Sequence, residues 1–157
     1  MVIILDDVLD LNTSFQNDII DINFGVTWYS LDDNHLFKDF CLQMINKVND
    51  YINLTSCIGY ECWTQNNTRP STQHQDKDEE LFERTGKLSF PLCSIIYYPI
   101  VKNLKGGQLH LEDDIITPKT DRLVIFPPGK FHTVKPFKGK RVSLLVNPWN
   151  RSLNKTT

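Results

Sequence analysis

Residues 122–146 read RLVIFPPGKFHTVKPFKGKRVSLLV and contain three β-rich stretches separated by turns. The apolar run at 122–126 stops at Pro-Pro-Gly, residues 127–129, which is a strong turn signal. Two further stretches rich in strand-forming residues follow at 131–134 and 141–146. Short strands separated in this way favour an antiparallel sandwich or a small barrel.

Upstream of this stretch the pattern stays strand-rich back to residue 56. Residues 88–100 are long and rich in β formers, and residues 58–63 alternate well enough for another strand. Residues 101–121 leave room for a further strand, whose position the pattern does not give.

Before residue 56 the pattern predicts a short strand, an irregular acidic segment and then a helix. Apolar residues recur at spacings of one, three and four, which predicts a helix running to about Tyr51 with Asp32, Asp33 or Asn34 as its cap. These apolar positions are Leu36, Phe37, Phe40, Met44, Ile45, Val48 and Ile52. The sequence predicts a mainly β fold with a flanking helix, as a single domain over residues 1–157. A helical N-terminal support would cover about 1–55 and the β core about 56–149.

The composition is that of an ordinary globular chain, with 157 residues, 40% hydrophobic and 23% charged. Seventeen basic and nineteen acidic residues give a net charge of −2, which predicts neither a nucleic-acid nor a membrane partner. The apolar run at residues 2–5 is too short for a signal peptide or a membrane span. We therefore expect a reducing, cytoplasmic location with four free cysteine thiols. Nothing in the sequence fixes the oligomeric state.

Three side chains of the metal-binding type form the strongest chemical pattern. His74 and Asp76 flank Gln75 in an H-x-D motif, and on an extended segment residues i and i+2 point to the same side. With His132 they supply two imidazoles and one carboxylate, the ligand set of a facial triad that holds iron(II) and leaves positions open. His110 and Glu112 have the same spacing as the H-x-D pair, so the motif alone does not choose between them.

Arg141 is the second candidate. On a strand it shares one side with Ser143, Leu145 and Asn147. If that side faces the interior, the buried guanidinium needs a partner, and a ligand carboxylate bound through a bidentate pair would provide it. If it faces outward, Arg141 is simply a solvated residue near two lysines. The pattern leaves both readings open.

From His74 to about Trp149 the sequence resembles the iron(II)/2-oxoglutarate-dependent dioxygenases, and within them the prolyl-4-hydroxylase-like branch. The matching pieces are His-Gln-Asp at 74–76, SIIYY at 94–98, GGQL at 106–109, RLVIFP at 122–127, HTV at 132–134 and RVS at 141–143. The resemblance implies a double-stranded β-helix core, that is, a jelly-roll of the cupin type. It also implies that His110 is structural or exposed.

The resemblance further implies a set of site residues. Iron(II) would be held by His74, Asp76 and His132. The far carboxylate of the co-substrate 2-oxoglutarate would meet Arg141, helped by Tyr98 and Ser143. Oxygen would be the other reactant, and ascorbate is a further candidate. Thr133 is a candidate donor that would orient a ligand, and candidate pocket walls are Trp28, Tyr29, Tyr60 and Trp63.

The implied activity is hydroxylation of a peptidyl or free amino acid, with prolyl as the first choice and 2-oxoglutarate converted to succinate and CO2. The partner would be a small molecule or a peptide. Two alternatives stay open. One is a dioxygenase of the same fold acting on another small molecule or a nucleobase. The other is a jelly-roll binding protein without turnover.

Overall fold

Strands dominate the computed structural model of the chain, which describes residues 1–9, 19, 22–66 and 70–153. In chain order the elements are β1 (Ile3–Asp6), β2 (Thr27–Ser30), α1 (Lys38–Asn49), β3 (Gly59–Gln65), α2 (Glu79–Thr85), β4 (Ser94–Gly106), β5 (Leu109–Leu111), β6 (Asp114–Ile116), β7 (Arg122–Phe126), β8 (His132–Val134) and β9 (Phe137–Trp149).

Two antiparallel sheets form the core. The larger has six strands in the order β1-β7-β4-β9-β3-β2, and the smaller has three in the order β6-β5-β8. A bridge between His74 and His132 adds the H-x-D segment to the free side of β8. The two sheets pack face to face through a shared apolar cluster, and the chain passes alternately between them from β6 to β9, as in a jelly-roll. The predicted mainly β fold with a double-stranded β-helix core is therefore confirmed.

The larger sheet is covered on both faces, which explains its continuous apolar strands. Its outer face carries side chains such as Tyr97 and Leu144, which share a core cluster with Met44 and Val48 of α1. Its inner face carries Tyr98 and other residues that pack toward the smaller sheet. No helix within the described ranges is long and apolar enough to cross a membrane.

Several element boundaries differ from the sequence pattern. Helix α1 begins after Phe37, which makes no side-chain cap, so the predicted caps at residues 32–34 are wrong. The strand expected at 88–100 begins at Ser94 and continues to Gly106. The segment for which the pattern placed no strand contains β5 and β6. Residues 1–55 contribute two edge strands to the larger sheet as well as α1.

Strand β1 is held at the sheet edge by an ion pair. Arg122 Nε donates to Asp6 Oδ1 at 2.7 Å, its Nη2 donates to Oδ2 at 2.9 Å, and Lys119 adds a contact at 3.3 Å. The hydrogen bonds from Arg122 lower the pKa of Asp6 to about 2. Because the folded-state pKa is depressed, the stabilisation is complete well above pH 4 and is lost as the pH falls toward 2.

We expect Asp6→Asn to lower the free energy of unfolding at pH 7 by roughly 0.5–1 kcal/mol, the range of a partly exposed ion pair. Urea unfolding at pH 7, 4 and 3 should show the difference from the wild type narrowing as the pH falls. Asp7→Asn removes a neighbouring exposed carboxylate and serves as the matched control. A difference that is independent of pH would contradict the role of the ion pair.

Candidate active site

The smaller sheet brings the two histidines of the triad together. His74 N–H donates to His132 O at 3.0 Å, and His132 N–H donates to His74 O at 2.9 Å. Asp76 lies two residues after His74 and faces the same side. One ligand atom from each of the three residues lies within 4.8 Å of the others, and the described part of the chain holds no other cluster of this kind. The alternative pair, His110 and Glu112, belongs to no such cluster.

The hydrogen bonds of the two imidazoles direct the same nitrogen of each ring toward Asp76. His74 Nδ1 lies 2.7 Å from Thr72 O, and His132 Nδ1 lies 3.1 Å from Lys130 O. A carbonyl only accepts, so Nδ1 carries the hydrogen and the lone pair stays on Nε2. The Nε2 atoms of His74 and His132 lie 3.9 and 3.6 Å from Asp76 Oδ1.

The surroundings of His132 favour the neutral form of its ring, which is the form that binds a metal ion. Its side chain is 3% exposed, and the edge of Phe126 contacts it with ring centroids 5.0 Å apart. Burial lowers the pKa of His132, and this effect outweighs the opposing influence of Asp76. The His74 side chain is 41% exposed, so the triad is open on one side.

Ser94 fixes the carboxylate of the triad. Its hydroxyl donates to Asp76 Oδ2 at 2.6 Å, which leaves Oδ1 facing the two imidazoles. The side chain of Gln75 donates to Gly129 O at 2.6 Å and ties the H-x-D segment to the turn before β8. Thr133 donates instead to Ser71 O at 2.7 Å, so the expectation that it orients a ligand is wrong.

We expect Ser94→Ala to weaken metal binding by about 10–100-fold, the usual cost of losing a partner of a metal ligand. Anaerobic titration of the metal-free protein with iron(II) or cobalt(II) measures this directly. Ser94→Thr keeps a hydroxyl and should restore most of the affinity. Equal affinity of the alanine variant and the wild type, with both folded by circular dichroism, would contradict the role of Ser94.

Arg141 faces inward, which decides between the two readings of its strand. It is 2% exposed, and with Tyr98 and Ser143 it lines a cavity of about 70 Å³ that His74 and His132 also border. Its Cζ lies 4.8 Å from the Phe137 ring centroid and 6.0 Å from that of Tyr98. The three residues predicted to bind the co-substrate therefore share one cavity with both histidines.

The guanidinium of Arg141 is buried, and few polar groups among the described residues compensate its positive charge. Nη1 donates to Gly107 O at 3.2 Å, and Nε has no partner within the described residues. No carboxylate there forms an ion pair with it, and burial lowers its pKa. Burial raises the pKa of Tyr98 to about 12, so its hydroxyl stays protonated and can donate. A ligand carboxylate is the partner that this arrangement lacks.

A second cavity, of about 400 Å³, opens on the other side of the triad. His74 and Asp76 border it, and Trp63 and His74 border both cavities. Of the aromatic residues expected to form pocket walls, Trp63 does so. Tyr29 and Tyr60 pack in the cluster beneath α1, on the outer face of the larger sheet.

Comparison with known proteins was made by sequence and by structure. No family model matches the sequence, and no curated protein does. A viral collagen prolyl hydroxylase from Paramecium Bursaria Chlorella virus-1 superposes with a TM-score of 0.60 at 13% identity, over 94% of this chain and 95% of that one. The chain has the fold of the 2-oxoglutarate/iron(II) oxygenases.

Two further structures with this oxygenase fold support the assignment. A Pseudomonas putida prolyl-4-hydroxylase aligns over 81% of this chain and 72% of its own, with 19% identity and a TM-score of 0.57. A prolyl hydroxylase from Trichoplax adhaerens, in complex with a hypoxia inducible factor peptide fragment, aligns over 99% and 87%, with 14% identity and a TM-score of 0.57. The oxygenase fold thus extends over nearly the whole chain.

The residues present fit the groups that the oxygenase fold implies. Two imidazoles and one carboxylate on one side of a site suit iron(II) and leave positions open for other ligands. The Nε of Arg141, which has no partner among the described residues, suits a co-substrate that carries a carboxylate.

Sequence reasoning missed Ser94 and Gln75. Ser94, Ile96 and Tyr98 lie on the same side of β4, because side chains alternate along a strand. The predicted role of Tyr98 in the site would therefore have placed Ser94 on the inner face as well.

Proposed function

We propose that the protein is an iron(II)/2-oxoglutarate-dependent dioxygenase that hydroxylates a peptidyl or free amino acid, with prolyl substrates first. In the balanced reaction, one oxygen atom of O2 enters a substrate C–H bond and gives C–OH. The other enters succinate, and the co-substrate loses CO2. The observation that carries the proposal is the placement of the triad between two cavities, one of which contains a buried arginine with no carboxylate partner among the described residues.

Each residue has a role in this proposal. His74, Asp76 and His132 hold iron(II), which supplies the oxygen-activating chemistry when bound. Arg141 pairs with the far carboxylate of 2-oxoglutarate, while the hydroxyls of Tyr98 and Ser143 donate to it. The buried walls exclude water from the reacting groups. Ascorbate is proposed as a reductant that keeps the metal in the iron(II) state.

The two alternatives fit the site less well. A binding protein without turnover has no use for both a metal triad and a buried arginine awaiting a carboxylate. A nucleobase within a polynucleotide would bring phosphates to a cavity lined by carboxylates, which repel them. The proposed partner is therefore a peptide or a small molecule. Four free cysteines agree with the proposed cytoplasmic location.

The proposal is tested by turnover. The protein with iron(II), 2-oxoglutarate, ascorbate and O2 should form succinate slowly without substrate and faster with one. A screen of proline-containing peptides against free amino acids, read by mass spectrometry, should find a product heavier by one oxygen atom. Absence of succinate under all conditions, from a folded protein that binds iron(II), would favour the binding-protein alternative.

A further inference from the structure

We propose that four lysines on the outer face of the larger sheet form a docking site for an acidic segment of a partner protein. They are Lys102 and Lys105 of β4 and Lys138 and Lys140 of β9, here called the lysine patch, and all four are exposed. The lysine patch lies outside the candidate active site. The inference therefore goes beyond the proposed function and does not depend on it.

The pairing of the two strands places like charges directly opposite each other. Lys102 is the register partner of Lys140, and Lys105 is that of Lys138. Paired strands lie about 5 Å apart and each residue adds about 3.3 Å along a strand, so the four Cα atoms occupy an area of only about 5 by 7 Å. Like charges in this position destabilise a sheet. A bound group of negative charges would turn both unfavourable pairs into favourable contacts.

A β-bulge brings the two lysines of β4 to the same face. Lys102 and Lys105 are three residues apart, so in a regular strand they would point to opposite faces. Between them β4 has one residue more than β9, and Asn103 takes a left-handed conformation with φ 50°. Opposite it lies Gly139, where a Cβ atom would collide with Asn103 O. Bulges re-aim side chains, and here the result is a face with four lysines on two stretches, 101–106 and 137–141, that contain no acidic residue.

The lysine patch points away from the two cavities. Side chains alternate along β9, so Lys140 points to the face opposite that of Arg141. Arg141 lines a cavity, whereas Val142 and Leu144 belong to the core cluster that packs against α1. The lysine patch is therefore on the face of the sheet that α1 covers further along, and a partner bound there would not occupy either cavity.

The charge of the lysine patch is not compensated within the described part of the chain. The lysine ion pairs there involve Lys77, Lys119 and Lys130, and none includes a member of the patch. Lysines on exposed strands also oppose edge-to-edge pairing of sheets. In this protein they project from the face of two strands that already pair with each other. Four like charges in register therefore favour a binding role over protection of an edge.

The charge of the rest of the chain favours a short acidic segment over a long polyanion. Four of the seventeen basic residues lie in the patch, which leaves thirteen basic against nineteen acidic residues elsewhere. A nucleic acid or an anionic membrane extends well beyond an area of about 5 by 7 Å, so it would also meet this net negative remainder. A segment with a few neighbouring aspartates or glutamates would contact the patch alone, and its carboxylates would accept charge-assisted hydrogen bonds from the ammonium groups.

The test measures the binding of peptides that carry a neutral fluorophore to the full chain, by fluorescence anisotropy. The acidic peptide is Gly-Glu-Asp-Glu-Asp-Gly, and its neutral control is Gly-Gln-Asn-Gln-Asn-Gly. Each exposed ion pair contributes about twofold, so the acidic peptide should bind about tenfold tighter or more, and the difference should shrink as salt is added. Equal binding of the two peptides would overturn the inference. So would tighter binding of a short single-stranded oligonucleotide, or of vesicles containing phosphatidylserine, than of the acidic peptide.

Charge reversal then locates the binding site. Lys102→Glu combined with Lys105→Glu turns each register pair into an opposite-charge pair. The preference for the acidic peptide should then fall to about twofold or less, while the melting temperature stays the same or rises. Lys138→Gln combined with Lys140→Gln should also reduce the preference, and it provides a second test if the first variant does not fold.

The matched control is Lys47→Glu combined with Lys87→Glu. Lys47 lies in the last turn of α1 and Lys87 follows α2, and both are exposed. This control changes the net charge as much as the first variant does and should keep the full preference. Loss of the preference in the control, or its survival in both patch variants, would show that the lysine patch is not the docking site.

Discussion

Asp76→Ala is expected to abolish iron(II) binding and, with it, the weak visible absorption band of an iron(II)–2-oxoglutarate chelate under anaerobic conditions. Asp76 provides the only carboxylate of the candidate triad, and its Oδ1 lies within 4 Å of the Nε2 atom of each histidine. Removing a residue that is hydrogen-bonded to a metal ligand lowers the metal affinity by about 10–100-fold. Removing the ligand itself should therefore lower it by more than about 100-fold. Succinate formation should fall to background.

The chain offers a matched control for this experiment. Glu112 is the acidic member of the second His-x-acid pair, at the end of β5, and its partner is Lys130. Glu112→Ala should leave iron binding and the absorption band unchanged. Loss of the band in Glu112→Ala, or its survival in Asp76→Ala, would show that the metal is not bound at the proposed triad.

Arg141→Met is expected to raise the dissociation constant of 2-oxoglutarate by about 100-fold or more, because it removes two charge-assisted hydrogen bonds. The same substitution should leave the free protein as stable as the wild type, or more stable. In the free protein the guanidinium is desolvated, and among the described residues it donates one hydrogen bond, to Gly107 O at 3.2 Å. Replacing such a buried charge by an apolar side chain of similar length is often neutral or stabilising.

The dissociation constant of 2-oxoglutarate and the stability of the free protein together distinguish a binding role for Arg141 from a structural one. The melting temperature of the wild type should rise with 2-oxoglutarate, and that of Arg141→Met should not. Lys138→Met, on an exposed position of the same strand, should respond as the wild type does. A loss of about 3–5 kcal/mol of stability in Arg141→Met, the usual cost of breaking a buried pair, would identify Arg141 as structural and contradict the proposed role.

The sequence pattern alone predicted an antiparallel, mainly β fold, because short stretches rich in strand-forming residues end at strong turn signals, and the family resemblance added the jelly-roll core. The run at residues 122–126 is a strand with those bounds, and helix α1 packs through the predicted positions Met44, Ile45 and Val48. Both signals are local, since they depend on residues within one turn or one strand. A short first strand was also predicted, and β1 is that strand. The edge strand β2 was beyond this reasoning, because a four-residue strand is stabilised mainly by the strand beside it.

The residue types of the candidate site were also evident in the sequence, whereas their meeting was implied by the family resemblance and not by any local pattern. The H-x-D spacing places His74 and Asp76 on one side of an extended segment whatever the rest of the chain does. Asp76 and His132 lie far apart in the chain, and only the pairing of the H-x-D segment with β8 joins them. Such long-range pairing leaves no local signature in composition or periodicity.

The inward direction of Arg141 was decided by tertiary structure. The alternation of side chains along a strand places Arg141, Ser143 and Asn147 on one side of the sheet. It does not show which side of the sheet faces the interior. In the fold, α1 packs on the other side of the sheet, which leaves these polar side chains facing the two cavities. The sequence therefore determined which chemical groups the protein has and their order. The packing of a helix on one face and a second sheet on the other determined which of those groups meet.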